Sequence, residues 1–345
     1  MKAARLYGKG DLRVVDVPVP DVEEGGMLLR VRAATVCGTD LRMFANGSAG
    51  IDEEHPLTLC HEFSGTIEKL GKGVSGYEAG QRVSVAPNIG CGICGMCVSG
   101  DSHHCKELRA FGVNIDGAFA EYVGIPAAAV ANGNVTPIGE NVSFEAAAAN
   151  EAFACVYNSF ERYGVNPGDT VLIIGAGAIG MMHAGLALMA GAAKVILNDL
   201  SESRLAECKA IEPRIITVSK DLKEAVDIET GGAGANVVIT ACSVAAVQES
   251  AFDYAALNGR VNFFGGLPAG KDARLDTNQI HYKQLQVSGT TRSSHGHYRK
   301  TLEFISKGLV DVDALVTGRY PIDSVRQAFD NAAQQKGLKQ AIVFG

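Results

Sequence analysis

Apolar and polar positions alternate through residues 27–33 (MLLRVRA), the period-two pattern of a strand buried on one face. Residues 12–17 make another apolar, β-branched run, and Pro18 and Pro20 break it. Residues 74–85 (VSGYEAGQRVSV) set a glycine-containing turn before Arg82-Val83. Short strands and Gly-rich turns through about residue 125 predict an all-β-leaning region, a closed or partly closed barrel. The period then changes. Residues 141–160 read as an amphipathic helix with Ser143 as N-cap. Beyond Gly168, short continuous apolar runs alternate with helical ones. Strands are expected at residues 170–174, 194–197, 237–240, 260–264 and 286–289, and helices at 181–191 and 245–257. Residues 221–225 and 231–235 read as surface elements. Helices at 298–307 and 324–334 and a final strand, GLKQAIVF, complete the chain. Strands alternating with helices point to a parallel α/β sheet in the second part.

The chain has 345 residues, which suggests about two domains. Hydrophobic residues make up 47% and charged residues 20%, an ordinary globular balance. A formal charge of −7 removes any global electrostatic case for nucleic-acid binding. The first residues lack the apolar run of a signal peptide, and no apolar stretch reaches the roughly 18–20 residues of a membrane span. The expectation is a soluble, cytoplasmic protein. In such a chain the nine cysteines suit metal ligation better than a disulfide framework.

Cys91, Cys94, Cys97 and Cys105 are spaced C-x2-C-x2-C-x7-C in a glycine-bearing loop. Four thiolates around one centre leave no open position, which describes a structural Zn²⁺ site. An iron–sulfur cluster is the competing reading. His103 and His104, beside the last cysteine, read as solvated loop residues.

After the strand at 170–174, Gly175-Ala176-Gly177-Ala178-Ile179-Gly180 opens a helix, and Asp199 follows the next strand. Strand, G-x-G-x-x-G, helix, strand and acid form a Rossmann context. Gly175 serves the tight turn, Gly177 the close approach of a pyrophosphate and Gly180 the helix–strand packing, while N–H groups at the helix start face phosphate. Asp199 would accept hydrogen bonds from the adenosine ribose and repel a 2′-phosphate, which favours NAD over NADP. Arg204 could stack on adenine or offset a 2′-phosphate.

A soft thiolate, Cys37, and an imidazole, His61, suit Zn²⁺, and Thr39, Asp40 and Glu62 lie beside them in sequence. Taken singly, each has a plainer reading: Cys37 as a small buried hydrophobe, His61 as a structural histidine, and Glu62 and Glu151 as surface charges. Together, Cys-Gly-Thr-Asp at 37–40 and His-Glu at 61–62 resemble the catalytic zinc signature of the zinc-dependent medium-chain alcohol and polyol dehydrogenases. The four-cysteine loop resembles that family's structural zinc lobe. The likeness, in family order, covers essentially the whole chain.

The resemblance implies further roles. Glu151, in the family's Glu-Pro-Leu position, is a candidate third protein group at the catalytic zinc, and Glu62 is an equal candidate. Thr39 would hydrogen-bond the reacting oxygen, Asp40 would orient His61, and Lys339 would pair with Glu62. The backbone of Gly265-Gly266-Leu267 would contact the nicotinamide half of the coenzyme, and the turn with Thr290-Thr291-Arg292 would touch NAD, with Arg292 facing substrate. Two positions depart from the family: Cys60 replaces a glycine and Ala152 a proline. Cys60 is not taken as a ligand, because neighbouring strand residues face opposite ways.

The implied fold is α/β and two-domain: a GroES-like β-barrel catalytic domain (residues 1–153, completed by 293–345) and a Rossmann doubly wound parallel-sheet NAD-binding domain (154–292). The implied activity is reversible oxidation of a secondary alcohol of a polyol to a ketose, with two Zn²⁺ per subunit and NAD. The segment Arg292-Ser-Ser-His-Gly-His-Tyr-Arg-Lys could hold the phosphate of a phosphorylated polyol. Threonine dehydrogenase is the nearest alternative, and a non-catalytic NAD(H)-binding sensor is the alternative of another class. The partners implied are a small-molecule polyol and further copies of the chain, as homotetramer or homodimer, with neither nucleic acid nor membrane.

Overall fold

A computed structural model describes residues 1–345, which divide into two compact units. The first comprises Met1–Ala154, Ser293–Gly308 and Val312–Gly345. Its larger sheet runs Val135–Pro137, Arg82–Val85, Phe63–Leu70, Met27–Thr35, Lys339–Val343, Val316–Tyr320, and Tyr122–Ile125 also pairs with Met27–Thr35. A smaller sheet orders Asp11–Asp16, Lys2–Gly8 and Leu57–Thr58. The strand Met27–Thr35 is buried over most of its length because it has neighbours on both edges. Edge-to-face Phe63 and Phe111, with centroids 5.3 Å apart, and Phe119 and Phe329, 5.7 Å apart, fill the core beneath.

Two pairings at the end of that strand build the site. Thr35 N–H donates to Glu62 O at 2.9 Å, and Val36 N–H donates to Gln340 O at 2.9 Å. The last strand of the chain therefore delivers Lys339 to the place where the chain re-enters the sheet after His61 and Glu62. The helix Phe144–Tyr163 starts where the sequence places it: Ser143 Oγ accepts from Ala146 N–H at 3.0 Å, an N-cap.

The second unit comprises Cys155–Arg292 and Leu309–Asp311. Its six-stranded sheet is parallel throughout, in the order Ile216–Val218, Lys194–Asn198, Thr170–Ile174, Ala235–Thr240, Ala255–Phe263, Gln286–Gly289. That is the 3-2-1-4-5-6 order of a dinucleotide-binding fold. Three local expectations change. The edge strand Ile216–Val218 is too short to show a period, and the helix Leu222–Thr230 occupies part of what reads as surface elements. The expected helix at 245–257 ends early: Ala245–Ser250 is helical, Ala251–Tyr254 is a 3-10 turn, and Ala255 already pairs with Ala235. The Ala-Ala-Leu sequence there suits either state, and sheet pairing decides it. No helix is long and apolar enough to cross a membrane.

Candidate metal and dinucleotide sites

Cys37 is the N-cap of the helix Gly38–Asn46, and Asp40 at the third helical position accepts its backbone N–H at 2.9 Å. The other oxygen of Asp40 accepts from Cys60 N–H at 3.2 Å. This fully buried carboxylate thus ties the turn carrying Cys37 to the turn carrying His61. Its partners do not offset its isolation from water, so burial raises its pKa despite the nearby His61. His61 Nδ1 stands 4.0 Å from Asp40 Oδ1, is buried and has no hydrogen-bond partner.

One ligand atom each from Cys37, His61 and Glu62 lie within 4.8 Å of one another. Burial works against the imidazolium of His61, yet Cys37, Asp40 and Glu151 outweigh it and hold its pKa well above the ordinary value. Glu62 is completely buried, and Lys339 Nζ reaches its oxygens at 2.8 and 2.5 Å while the Thr35 hydroxyl donates to it as well. Burial lowers the Lys339 pKa, but Glu62, Cys37 and Glu151 reverse that and raise it. Glu151 is buried and is felt by both His61 and Lys339, but its carboxylate lies outside the 4.8 Å set. Thr39 Oγ1 accepts from Arg42 Nη2 at 2.9 Å. Sequence reasoning passed over Arg42 and Thr35; the signal for Arg42 is its i,i+3 spacing from Thr39 on one helix.

Cys60 does not lie in a strand, so strand alternation is not what keeps it out of the ligand set. Its backbone sits at φ +84°, a region that favours glycine. The chain keeps the glycine conformation and turns the added thiol inward, where Sγ donates to Glu62 O at 3.2 Å.

In the cysteine loop the Sγ separations are 3.5 Å (Cys94–Cys97), 3.8 Å (Cys94–Cys105) and 4.0 Å (Cys91–Cys97). A tetrahedron with metal–sulfur bonds of about 2.3 Å has edges of about 3.8 Å, so the cage fits one zinc ion. Cys91 N–H donates to Cys105 Sγ and Cys94 N–H to Cys91 Sγ, both at 3.4 Å. The N–H groups of Ile93 and Cys94 pull the Cys91 thiol down to about 7, while burial pushes Cys97 up. His104 is exposed, but His103 is buried, 4.2 Å from the His104 ring and 6.2 Å from that of His297, which corrects its reading as a solvated residue.

In the second unit Gly175 has φ +119°, and a Cβ on Gly180 would lie 1.9 Å from Gly175 O, so only glycine permits this helix–strand contact. Gly177 is the N-cap of the helix Ala178–Met189, so Ala178 and Ile179 supply free N–H groups there. Asp199 accepts from Ala176 N–H and Ser201 N–H, both at 2.9 Å, which fixes its carboxylate against the glycine loop. The Arg204 guanidinium lies over Gly177, with Nη2 3.4 Å from where a Cβ would be. Gly265 O accepts from Gln248 at 2.7 Å, and Gly266 and Leu267 continue the turn. Thr290 Oγ1 is buried without a partner. Thr291 O and Arg292 O accept from Asn158 Nδ2 at 3.4 and 2.9 Å, and Arg292 sits at φ +58°. Asn158 carried no sequence signal. All four groups follow the carboxyl ends of sheet strands, where ligands of open α/β sheets bind.

Of the segment 292–300, Tyr298, Arg299 and Lys300 already have protein partners in Ser84, Gly133 O and Glu303. Ser294 and His297 cap the helix His295–Ser306 by exchanging hydrogen bonds.

Comparison with known proteins agrees with this architecture. The Alcohol dehydrogenase GroES-like domain matches residues 23–137 and the Zinc-binding dehydrogenase family residues 178–307. Sorbitol dehydrogenase of Bacillus subtilis (strain 168) is 30% identical, over 97% of this chain and 94% of its own. L-threonine 3-dehydrogenase of Rhizobium etli (strain CIAT 652) is 32% identical, over 91% and 90%. Among solved structures, a zinc-binding dehydrogenase of Sinorhizobium meliloti 1021 bound to NADP has a TM-score of 0.88 at 28% identity, covering 99% of both chains. The short chain alcohol dehydrogenase rspB of Escherichia coli CFT073, complexed with NADH, has a TM-score of 0.88 at 26% identity, covering 100% of this chain and 99% of that one. This chain belongs to the zinc-dependent medium-chain alcohol dehydrogenase family and is a zinc- and NAD-dependent oxidoreductase of alcohols.

Proposed function

We propose that the protein interconverts a secondary alcohol of a polyol, free or phosphorylated, and the corresponding ketose. The observation that carries the chemistry is the convergence of Cys37, His61 and Glu62 within 4.8 Å beside the Thr39 hydroxyl's helix turn. Cys37 and His61 hold the catalytic zinc, and Glu62 or Glu151 completes the set. Zinc supplies Lewis-acid polarisation of an alcohol oxygen, and NAD⁺ supplies the hydride acceptor. Thr39 hydrogen-bonds the reacting oxygen and starts proton release. Asp40 keeps the two ligand turns in register, and Lys339 with Thr35 holds Glu62 in place, so a shift of Glu62 towards the metal requires loosening that ion pair. Cys91, Cys94, Cys97 and Cys105 hold the structural zinc. Gly175 to Gly180 receive the pyrophosphate, and Asp199 selects NAD over NADP by repelling a 2′-phosphate, with Gly265 to Leu267 along the nicotinamide half and the Thr290-Thr291-Arg292 turn against NAD, its Arg292 facing substrate.

A second reading, oxidation of L-threonine, draws on the 32% identity to a threonine dehydrogenase. The test is NADH production by zinc-replete protein from free C4–C6 polyols, their phosphates, simple secondary alcohols and threonine, with NADP⁺ alongside. Preference for one polyol supports the proposal, and turnover of threonine alone replaces it with the second reading. Cys37→Ala and His61→Ala should lose turnover and keep NADH binding; full activity in either would remove the catalytic-zinc assignment.

A further inference from the structure

Arg42 is one of the arginines of the first unit without a carboxylate side-chain partner, as are Arg299, which bonds Gly133 O, and Arg32, which lies over the Phe144 ring; Arg42 alone of these sits on the helix that Cys37 caps. Arg13, Arg82, Arg319 and Arg326 each pair with a carboxylate. Arg42 is exposed, and its polar side-chain partner is neutral: the Thr39 hydroxyl, 2.9 Å from Nη2. Its other terminal nitrogen, Nη1, lies 4.0 Å from where a Cβ on Gly38 would stand. The guanidinium is therefore folded back over the Gly38-Thr39 turn, directly after Cys37, with its charge uncompensated and its remaining N–H donors unused. A planar fork of donors with no counter-ion matches a carboxylate or phosphate.

We infer that Arg42 binds an oxyanion of the substrate, so that the alcohols this enzyme prefers carry a carboxylate or a phosphate close to the carbinol. The inference rests on the assignment of Thr39 to the reacting oxygen. Thr39 Oγ1 and Arg42 Nη2 are 2.9 Å apart and each further hydrogen bond spans about 2.8 Å, so an oxygen bonded to Thr39 and an oxyanion bonded to Arg42 would lie within about 8 Å of each other. That reach suits a carboxylate two carbons from the carbinol or a phosphate ester on a nearby carbon.

The experiment uses matched pairs that differ only in the anion: L-threonine against threonine amide, and polyol phosphates against the free polyols. They are run on wild type, Arg42→Gln and Arg42→Lys with saturating NAD⁺. Wild type should favour the charged member of one pair, and which pair distinguishes carboxylate from phosphate. Arg42→Gln should lose roughly 10- to 100-fold in kcat/KM for that member and less than about threefold for its neutral partner, with Arg42→Lys recovering part of the loss. Equal loss on both members, an effect confined to the KM of NAD⁺, or no effect would each overturn the inference while leaving zinc-dependent turnover standing. If wild type turns over no compound in the panel, the functional reading fails, and the anion site is then read by titrating inorganic phosphate into NADH-loaded protein. Binding that Arg42→Gln abolishes sustains the site; absence of binding overturns it.

Discussion

At the scale of single residues, Cys60 is the informative departure. An L-residue held in a glycine region stores about 1–3 kcal/mol of strain when its surroundings over-determine it. Here they do: Cys60 N–H is bound by Asp40, and Ala118 N–H donates to Cys60 O at 3.1 Å. The buried thiol recovers part of that strain through its own packing. Cys60→Ala keeps the strained φ and loses the sulfur, whereas Cys60→Gly relieves the φ. Cys60→Gly should therefore be the more stable of the two by about 1 kcal/mol, against the usual rank of alanine over glycine. Urea midpoints of the two zinc-loaded variants decide it, and Cys60→Ala being the more stable would contradict the strain. The sequence carries the oddity, a cysteine where the family has glycine, but not its cause, because φ is set by Asp40 and by residues 117–119, far away along the chain. The same limit applies to Arg42 and Thr35, whose contacts with Thr39 and Glu62 are set by the fold.

At the scale of elements, the helix Phe144–Tyr163 carries Glu151 and is held to the sheet by a short polar chain. Ser84 Oγ donates to Ala147 O at 2.7 Å, the single proton of Tyr298 OH is shared between Ser84 Oγ at 2.7 Å and Val85 O at 3.1 Å, and Asn150 Nδ2 donates to Tyr298 O at 3.0 Å. All of these groups are buried. Burial pushes the phenol of Tyr298 far up, so it stays neutral and donates throughout the working pH range. Tyr298→Phe removes one buried hydroxyl and should cost about 1–2 kcal/mol. Urea unfolding measures the cost, and zinc analysis should still find the same metal content; an unchanged midpoint would mean the chain of hydrogen bonds does not hold the helix. This helix was legible because Ser143 and a long run of apolar positions mark it. The strand Ile216–Val218 and the switch to strand at Ala255 were not, since three residues show no period and pairing partners lie outside the segment.

At the scale of the whole molecule, the motif order along the chain announced both a metal-bearing β unit and a parallel α/β unit, because each motif needs only local spacing. What spacing cannot express is how distant segments complete each other, as the final strand does when it brings Lys339 to Glu62. The α/β unit also contains a titratable group outside the proposed chemistry. His183 is fully buried in the helix after the glycine loop, bonded to Tyr163 OH at 2.9 Å and edge-on to Phe264 with centroids 5.0 Å apart. Burial takes its pKa from 6.5 down to about 3. Between those values the unfolded chain binds a proton that the folded chain refuses, so stability is complete above about pH 6.5 and falls as pH drops towards 3, by about 1.4 kcal/mol per unit. His183→Gln cannot titrate and should lose this slope whatever its own stability at neutral pH. The chain contains no tryptophan, so circular dichroism follows the urea unfolding. From pH 6.5 to 4.5 wild type should lose about 2 kcal/mol more than His183→Gln. Parallel pH dependences in the two proteins would show that His183 is protonated inside the fold, with a partner or water that offsets its burial.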